Sequence, residues 1–158
     1  MADNEKILNE FILINNNVDW VHVSYSYDLS ENFIREYQNK IYWYFISKHQ
    51  ILSEDLIREY IEKIDWHRIS IYQNLSENFI RDFQDKINWS NISRYQKLSE
   101  NFIRELHNKV YWPRISRYQQ LSEKFICEFK YQISWNNVLK YQKLSENFKK
   151  EFKYKLYD

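Results

Sequence analysis

Six basic side chains, Lys48, Arg68, Arg94, Arg114, Arg117 and Lys140, each stand two or five residues after a tryptophan. Tyr44 and Phe45 occupy neighbouring slots of the same pattern. Positions one, two and five after each tryptophan together hold six Lys or Arg and no Asp or Glu. Cations interrupted by aromatic rings suit an anionic partner, either an acidic protein surface or a phosphate backbone. A bland explanation competes, because the last turn of a helix favours cations through its dipole. That covers Lys48, Arg94, Arg117 and Lys140 but leaves Arg68 and Arg114 unexplained. These eight residues form the candidate partner-binding set.

Other reactive residue types point away from catalysis. Glu31–Arg35, Glu54–Arg58, Glu77–Arg81 and Glu100–Arg104 repeat an i,i+4 acid–base spacing, as do Glu36–Lys40, Glu59–Lys63, Asp82–Lys86 and Glu105–Lys109. Such pairs support a helix by roughly 0.2–0.5 kcal/mol each. A catalytic constellation is one arrangement, whereas this is the same arrangement many times over. His22, His49, His67 and His107 fall in unrelated slots, so no metal cage is expected; His49 replaces a tyrosine expected to face inward. Cys127 is the single cysteine and reads as a surface thiol. No cofactor is expected, and no enzyme.

The elements that position these residues follow from a strict period. Leu-Ser-Glu recurs at Leu29, Leu52, Leu75, Leu98, Leu121 and Leu144, and all six tryptophans share the same 23-residue ladder. A period of this size signals a solenoid. The expected organisation is one repeat domain over residues 1–158: a capping repeat at 1–28, five full repeats starting at 29, 52, 75, 98 and 121, and a capping half-repeat at 144–158. In the last of these, Lys149-Lys150 replaces the usual Ile-Arg.

Each repeat reads as two helices, giving an all-α fold, an α-solenoid of helix-turn-helix repeats. Ser76 is an N-cap with Glu77 in the first turn. Phe79, Ile80, Phe83 and Ile87 then form an apolar stripe. The spacing predicts longer helices over 31–41, 54–64, 77–87, 100–110, 123–133 and 146–156. Asp19, Asp65, Asn88 and Ser134 cap a second, shorter helix that begins at each tryptophan, where Pro113 is tolerated in the first turn. That helix is expected to turn Trp, Ile92 and Tyr95 inward. Ser47, Ser70, Ser93 and Ser116, with Gln50, Gln73, Gln96, Gln119 and Gln142, should reach backbone groups at repeat junctions.

Composition narrows the setting. Lys and Arg number 23 against 22 Asp and Glu, so net charge alone gives no pull toward nucleic acid or membrane. Glycine is absent and proline occurs once, which excludes glycine-rich phosphate loops and most β-hairpin turns. The lack of a long apolar run argues against membrane spanning and secretion, and an intracellular location is expected.

The repeat unit LSENFIREFQDKIxWxxISxYQK resembles uncharacterised tandem-repeat proteins of giant DNA viruses related to mimivirus, from about Asp19 onward. The A/T-codon-biased composition agrees with that origin; the implied setting is host cytoplasm or virion. Cys127, Gln132, Leu139, Leu56 and Leu106 depart from the unit without disturbing its pattern. The resemblance implies no activity. The residues favour a scaffold for protein–protein interaction through the tryptophan-helix face, with an acidic partner. Nucleic-acid binding by the basic stripe and structural self-assembly are the alternatives.

Overall fold

The computed structural model describes residues 2–15 and 17–156; Met1, Asn16, Tyr157 and Asp158 of the expected terminal repeats lie outside them. The described residues are helical, with no strand among them. They fall into two compact units, Met1–Leu75 and Ser76–Asp158. Each unit is an α-solenoid of helix pairs repeating every 23 residues.

The first unit contains α1 (Ala2–Ile14), α2 (Trp20–Ser26), α3 (Glu31–Glu36), α4 (Trp43–His49), α5 (Glu54–Glu59) and α6 (Trp66–Tyr72). The second contains α7 (Glu77–Asp82), α8 (Trp89–Tyr95), α9 (Glu100–Glu105), α10 (Trp112–Tyr118), α11 (Glu123–Glu128), α12 (Trp135–Tyr141) and α13 (Glu146–Phe152), then a 3-10 turn at Lys153–Leu156. Tryptophan helices pack on one another within a unit: α2 on α4 and α4 on α6, α8 on α10 and α10 on α12.

The starts of the helices obey local chemistry. Ser30, Ser53, Ser99 and Ser122 each accept the backbone N–H three residues on, at 3.1–3.2 Å. Asp19, Asp65 and Asn88 do the same for the tryptophan helices. Ser134 does not: its side chain makes no cap bond, and its own N–H donates to Ser116 Oγ at 2.9 Å.

The ends differ from expectation. The helices expected to be the longer ones stop after six residues, at Glu36, Glu59, Asp82, Glu105 and Glu128. Beyond Glu36 the chain turns, with the N–H groups of Lys40 and Ile41 both donating to Tyr37 O. Tertiary bonds displace the helical ones. In a continued helix Gln38 O would accept from Tyr42 N–H; instead it accepts the Trp43 indole N–H at 3.0 Å, and Tyr42 N–H donates to Ser24 Oγ of the preceding repeat at 2.9 Å. The same indole bond recurs at Ile61, Gln84, His107 and Lys130. Helices this short have no independent stability, so such contacts decide where they stop.

Phe33, Phe79, Phe102 and Phe125 are buried, as are the isoleucines that follow them and Ile46, Ile69, Ile92 and Ile115. Leu56 fills the phenylalanine slot of its repeat and is equally buried. The tryptophans, expected in the core, are only half-buried.

Repeat junctions are polar and fully paired where Gln50, Gln73, Gln119 and Gln142 enter them. Gln119 Oε1 accepts from Leu98 N–H at 3.0 Å, while its Nε2 donates to Ser93 O and Gln96 O at 3.0 and 2.9 Å. Gln50 and Gln73 repeat the pattern in the first unit. Ser116 Oγ donates to Trp112 O at 2.8 Å and accepts from Ser134 N–H. The expected junction role of Ser and Gln is therefore what the structure contains.

Candidate partner-binding face

A seven-residue helix starting at Trp turns its fourth and fifth residues, Ile and Ser, into the core, and the Gln at its C-cap continues that face. At about 100° per residue, the seventh residue falls on a flank of this face. Tyr72, Tyr95, Tyr118 and Tyr141 are accordingly 39–47% exposed, and His49 in the same slot is exposed too. The expectation that this tyrosine slot points inward is wrong. Four of the six copies carry tyrosine in this slot, and periodicity alone does not separate a flank from a core.

The third residue of every tryptophan helix but the first, where His22 stays exposed, behaves in the opposite way. It was expected to point outward, yet the neighbouring repeat covers it: Asn91 is buried, and Arg68, Arg114 and Asn137 are half-buried. Arg114 Nη1 donates to Ser90 O at 2.8 Å and Asn91 Oδ1 at 3.2 Å, and Asn137 Nδ2 donates to Pro113 O at 2.9 Å. In the first unit Arg68 Nη2 donates to the Tyr44 hydroxyl at 2.6 Å, with the guanidinium 4.7 Å from that ring. Arg68 and Arg114, the two cations that the helix dipole left unexplained, are thus clamps between successive repeats.

The remaining cations form the open face. In the second unit Arg94 Cζ lies 4.8 Å from the Tyr95 centroid and 5.0 Å from Tyr118. Arg117 Cζ lies 5.1 Å from Tyr118 and 4.5 Å from Tyr141, and Lys140 Nζ lies 5.4 Å from Tyr141. Cations and tyrosines therefore alternate along this unit. Two clefts open beside the row. One, of about 400 Å³, is bordered by Arg94, Tyr95, Lys97, Tyr118 and Gln120. The other, of about 320 Å³, is bordered by Arg117, Tyr118, Tyr141 and Lys143.

The equivalent face of the first unit is aromatic. Phe45 packs between Tyr25, Tyr44 and His49, with centroid separations of 5.5, 5.1 and 6.2 Å. Lys48 stands 5.9 Å from the Tyr72 ring. Partial burial among these rings, followed by the charge of Lys48, pushes the His49 imidazole below its ordinary pKa.

The charged ladder lies elsewhere and ties repeats together. Arg35 bonds Glu31 in its own helix at 3.3 Å but reaches Glu59 of the next repeat at 2.8 Å. Arg81 and Arg104 likewise hold Glu105 and Glu128 at 2.8 Å. The first-turn acids Glu31, Glu77, Glu100 and Glu123 each accept the N–H of the N-cap serine one repeat on, at 2.6–2.9 Å. These carboxylates are engaged in the stack, consistent with a structural role. Among the described residues no group of three His, Cys, Asp or Glu is placed to hold a metal ion, and Cys127 is exposed. No helix among them is long and apolar enough to cross a membrane. No family model, no curated protein and no solved structure matches the chain.

Proposed function

We propose that the chain is a non-enzymatic repeat scaffold that binds an acidic protein partner through its tryptophan-helix face. The observation that carries this reading is the row of Arg94, Arg117 and Lys140, each set against an exposed tyrosine. Solenoids present such rows as extended binding surfaces. A cation held on an aromatic ring keeps its charge outward while losing little freedom on binding, which favours carboxylates. The tyrosine rings already carry guanidinium groups, which competes with base stacking and makes nucleic acid the second choice. An intracellular setting, in which Cys127 stays reduced, completes the proposal.

The test is binding of the whole chain to polyglutamate and to oligothymidylate at two salt concentrations, for wild type and for Arg94→Glu, Arg117→Glu and Lys140→Glu combined. The wild type should bind polyglutamate and the triple variant should not. Tighter binding of oligothymidylate, with an affinity that falls steeply with salt, would transfer the face to nucleic acid.

A further inference from the structure

Resting on the acidic-partner reading, we infer that the second unit holds two adjoining pockets for acidic side chains, with Tyr118 common to both, and that one partner segment fills the two together. The two clefts of the exposed face are copies of each other. Arg94, Tyr95, Leu98 and Tyr118 border the first. Their counterparts 23 residues on, Arg117, Tyr118, Leu121 and Tyr141, border the second. Tyr118 therefore belongs to both clefts, and one arginine from each rests on its ring, at 5.0 and 5.1 Å from the centroid. Each cleft also has one lysine, Lys97 in the first and Lys143 in the second. Gln120 fills the lysine slot of the repeat between them, so the charge is divided as one Arg and one Lys per cleft.

That charge is unspent. The ladder arginines Arg35, Arg81 and Arg104 each hold a carboxylate of the next repeat at 2.8 Å. Among the described residues no carboxylate stands within ion-pairing distance of Arg94, Lys97, Arg117 or Lys143. Glu100, the one acid bordering the first cleft, is already engaged, accepting from Ser122 N–H at 2.6 Å and from Arg104. No acid borders the second. A guanidinium with an ammonium near it suits one carboxylate, which takes paired hydrogen bonds from the planar group. The buried Leu98 and Leu121 give the methylene groups of a glutamate an apolar surface. Because the clefts share Tyr118, a segment seated in one is held beside the other. Its second carboxylate then binds at a high effective concentration, whatever the conformation of the segment.

The experiment is calorimetric titration of the full chain with hexaglutamate, whose carboxylate at every residue can reach each pocket in any conformation. One peptide should bind per chain. Arg94→Gln and, separately, Arg117→Gln should each weaken binding about tenfold without changing that stoichiometry, as loss of one of two linked sites does. Lys130→Gln removes the same charge from a lysine that lies against Tyr131, outside both clefts, and should change affinity less than about twofold. Tyr118→Ala should weaken binding more than Tyr95→Ala, with helicity checked by circular dichroism. Two peptides per chain, falling to one at unchanged affinity in each arginine variant, would overturn the joint filling. An equal loss from Lys130→Gln would reduce the effect to net charge and remove the pockets, while the acidic-partner reading stands. Polyglutamate bound without hexaglutamate would likewise remove the pockets alone. Failure of both to bind would overturn the pockets and the acidic-partner reading together.

Discussion

Arg114 donates to the Ser90 carbonyl at 2.8 Å, across the boundary between two successive repeats. Three residues later, Arg117 makes a different commitment and lies between two exposed tyrosines. Two arginines on one helix turn are thereby divided, one holding the stack and one facing solvent. Arg114→Gln should lower stability by about 1–2 kcal/mol by releasing a charged donor from partly buried acceptors. It should leave binding of polyglutamate unchanged. Arg117→Gln should do the reverse, weakening binding while changing stability by less than about 1 kcal/mol. Urea denaturation and anisotropy on both variants check the division; matching profiles would refute it.

Gln119 is buried and satisfies three backbone groups, Ser93 O and Gln96 O of the preceding repeat and Leu98 N–H at the start of its own. Gln119→Ala should cost about 3 kcal/mol, because each buried group left unpaired costs roughly 1–3 kcal/mol. Its neighbour Gln120 is exposed, and Gln120→Ala should stay within about 0.5 kcal/mol. Denaturation midpoints in urea measure the difference.

Phe125 is fully buried against Phe129 at 4.7 Å, whereas Tyr131 is 86% exposed. Phe125→Ala should cost about 3–5 kcal/mol, the usual range for emptying an aromatic site in a core. Tyr131→Ala should be close to neutral. Calorimetry of the two variants separates core from surface within a single repeat.

Acid should loosen the junctions. Hydrogen bonding from Ser53 holds the Glu31 carboxyl below the ordinary glutamate range, helped by Arg35 and opposed by burial. Bonding to Arg81 does the same for Glu105. A carboxyl whose folded pKa is lowered contributes stability above its unfolded pKa, near about 4.3, and loses it as pH falls through the folded value. Stability of the wild type should therefore decline on going from about pH 5 to 3. Glu31→Gln and Glu105→Gln combined should show a shallower decline, read from urea titrations at each pH.

Much of the architecture is legible in the residues alone. The 23-residue period, the caps at Ser30, Asp65 and Asn88, the tryptophan-helix starts and the buried Phe-Ile pairs all rest on local chemistry, in which partners lie three or four residues apart. The open cations Arg94, Arg117 and Lys140 were also marked by their slots. The tertiary structure alone decided the rest. Tyr42 N–H finds Ser24 Oγ 18 residues away, and Arg114 finds Ser90 24 residues away. Such bonds depend on how far one repeat is displaced and rotated from the next, a quantity that no spacing within a repeat contains. That displacement ends the first helix of each full repeat at six residues, covers Asn91, turns Arg68 and Arg114 into clamps, and leaves the tyrosines on the flank facing solvent.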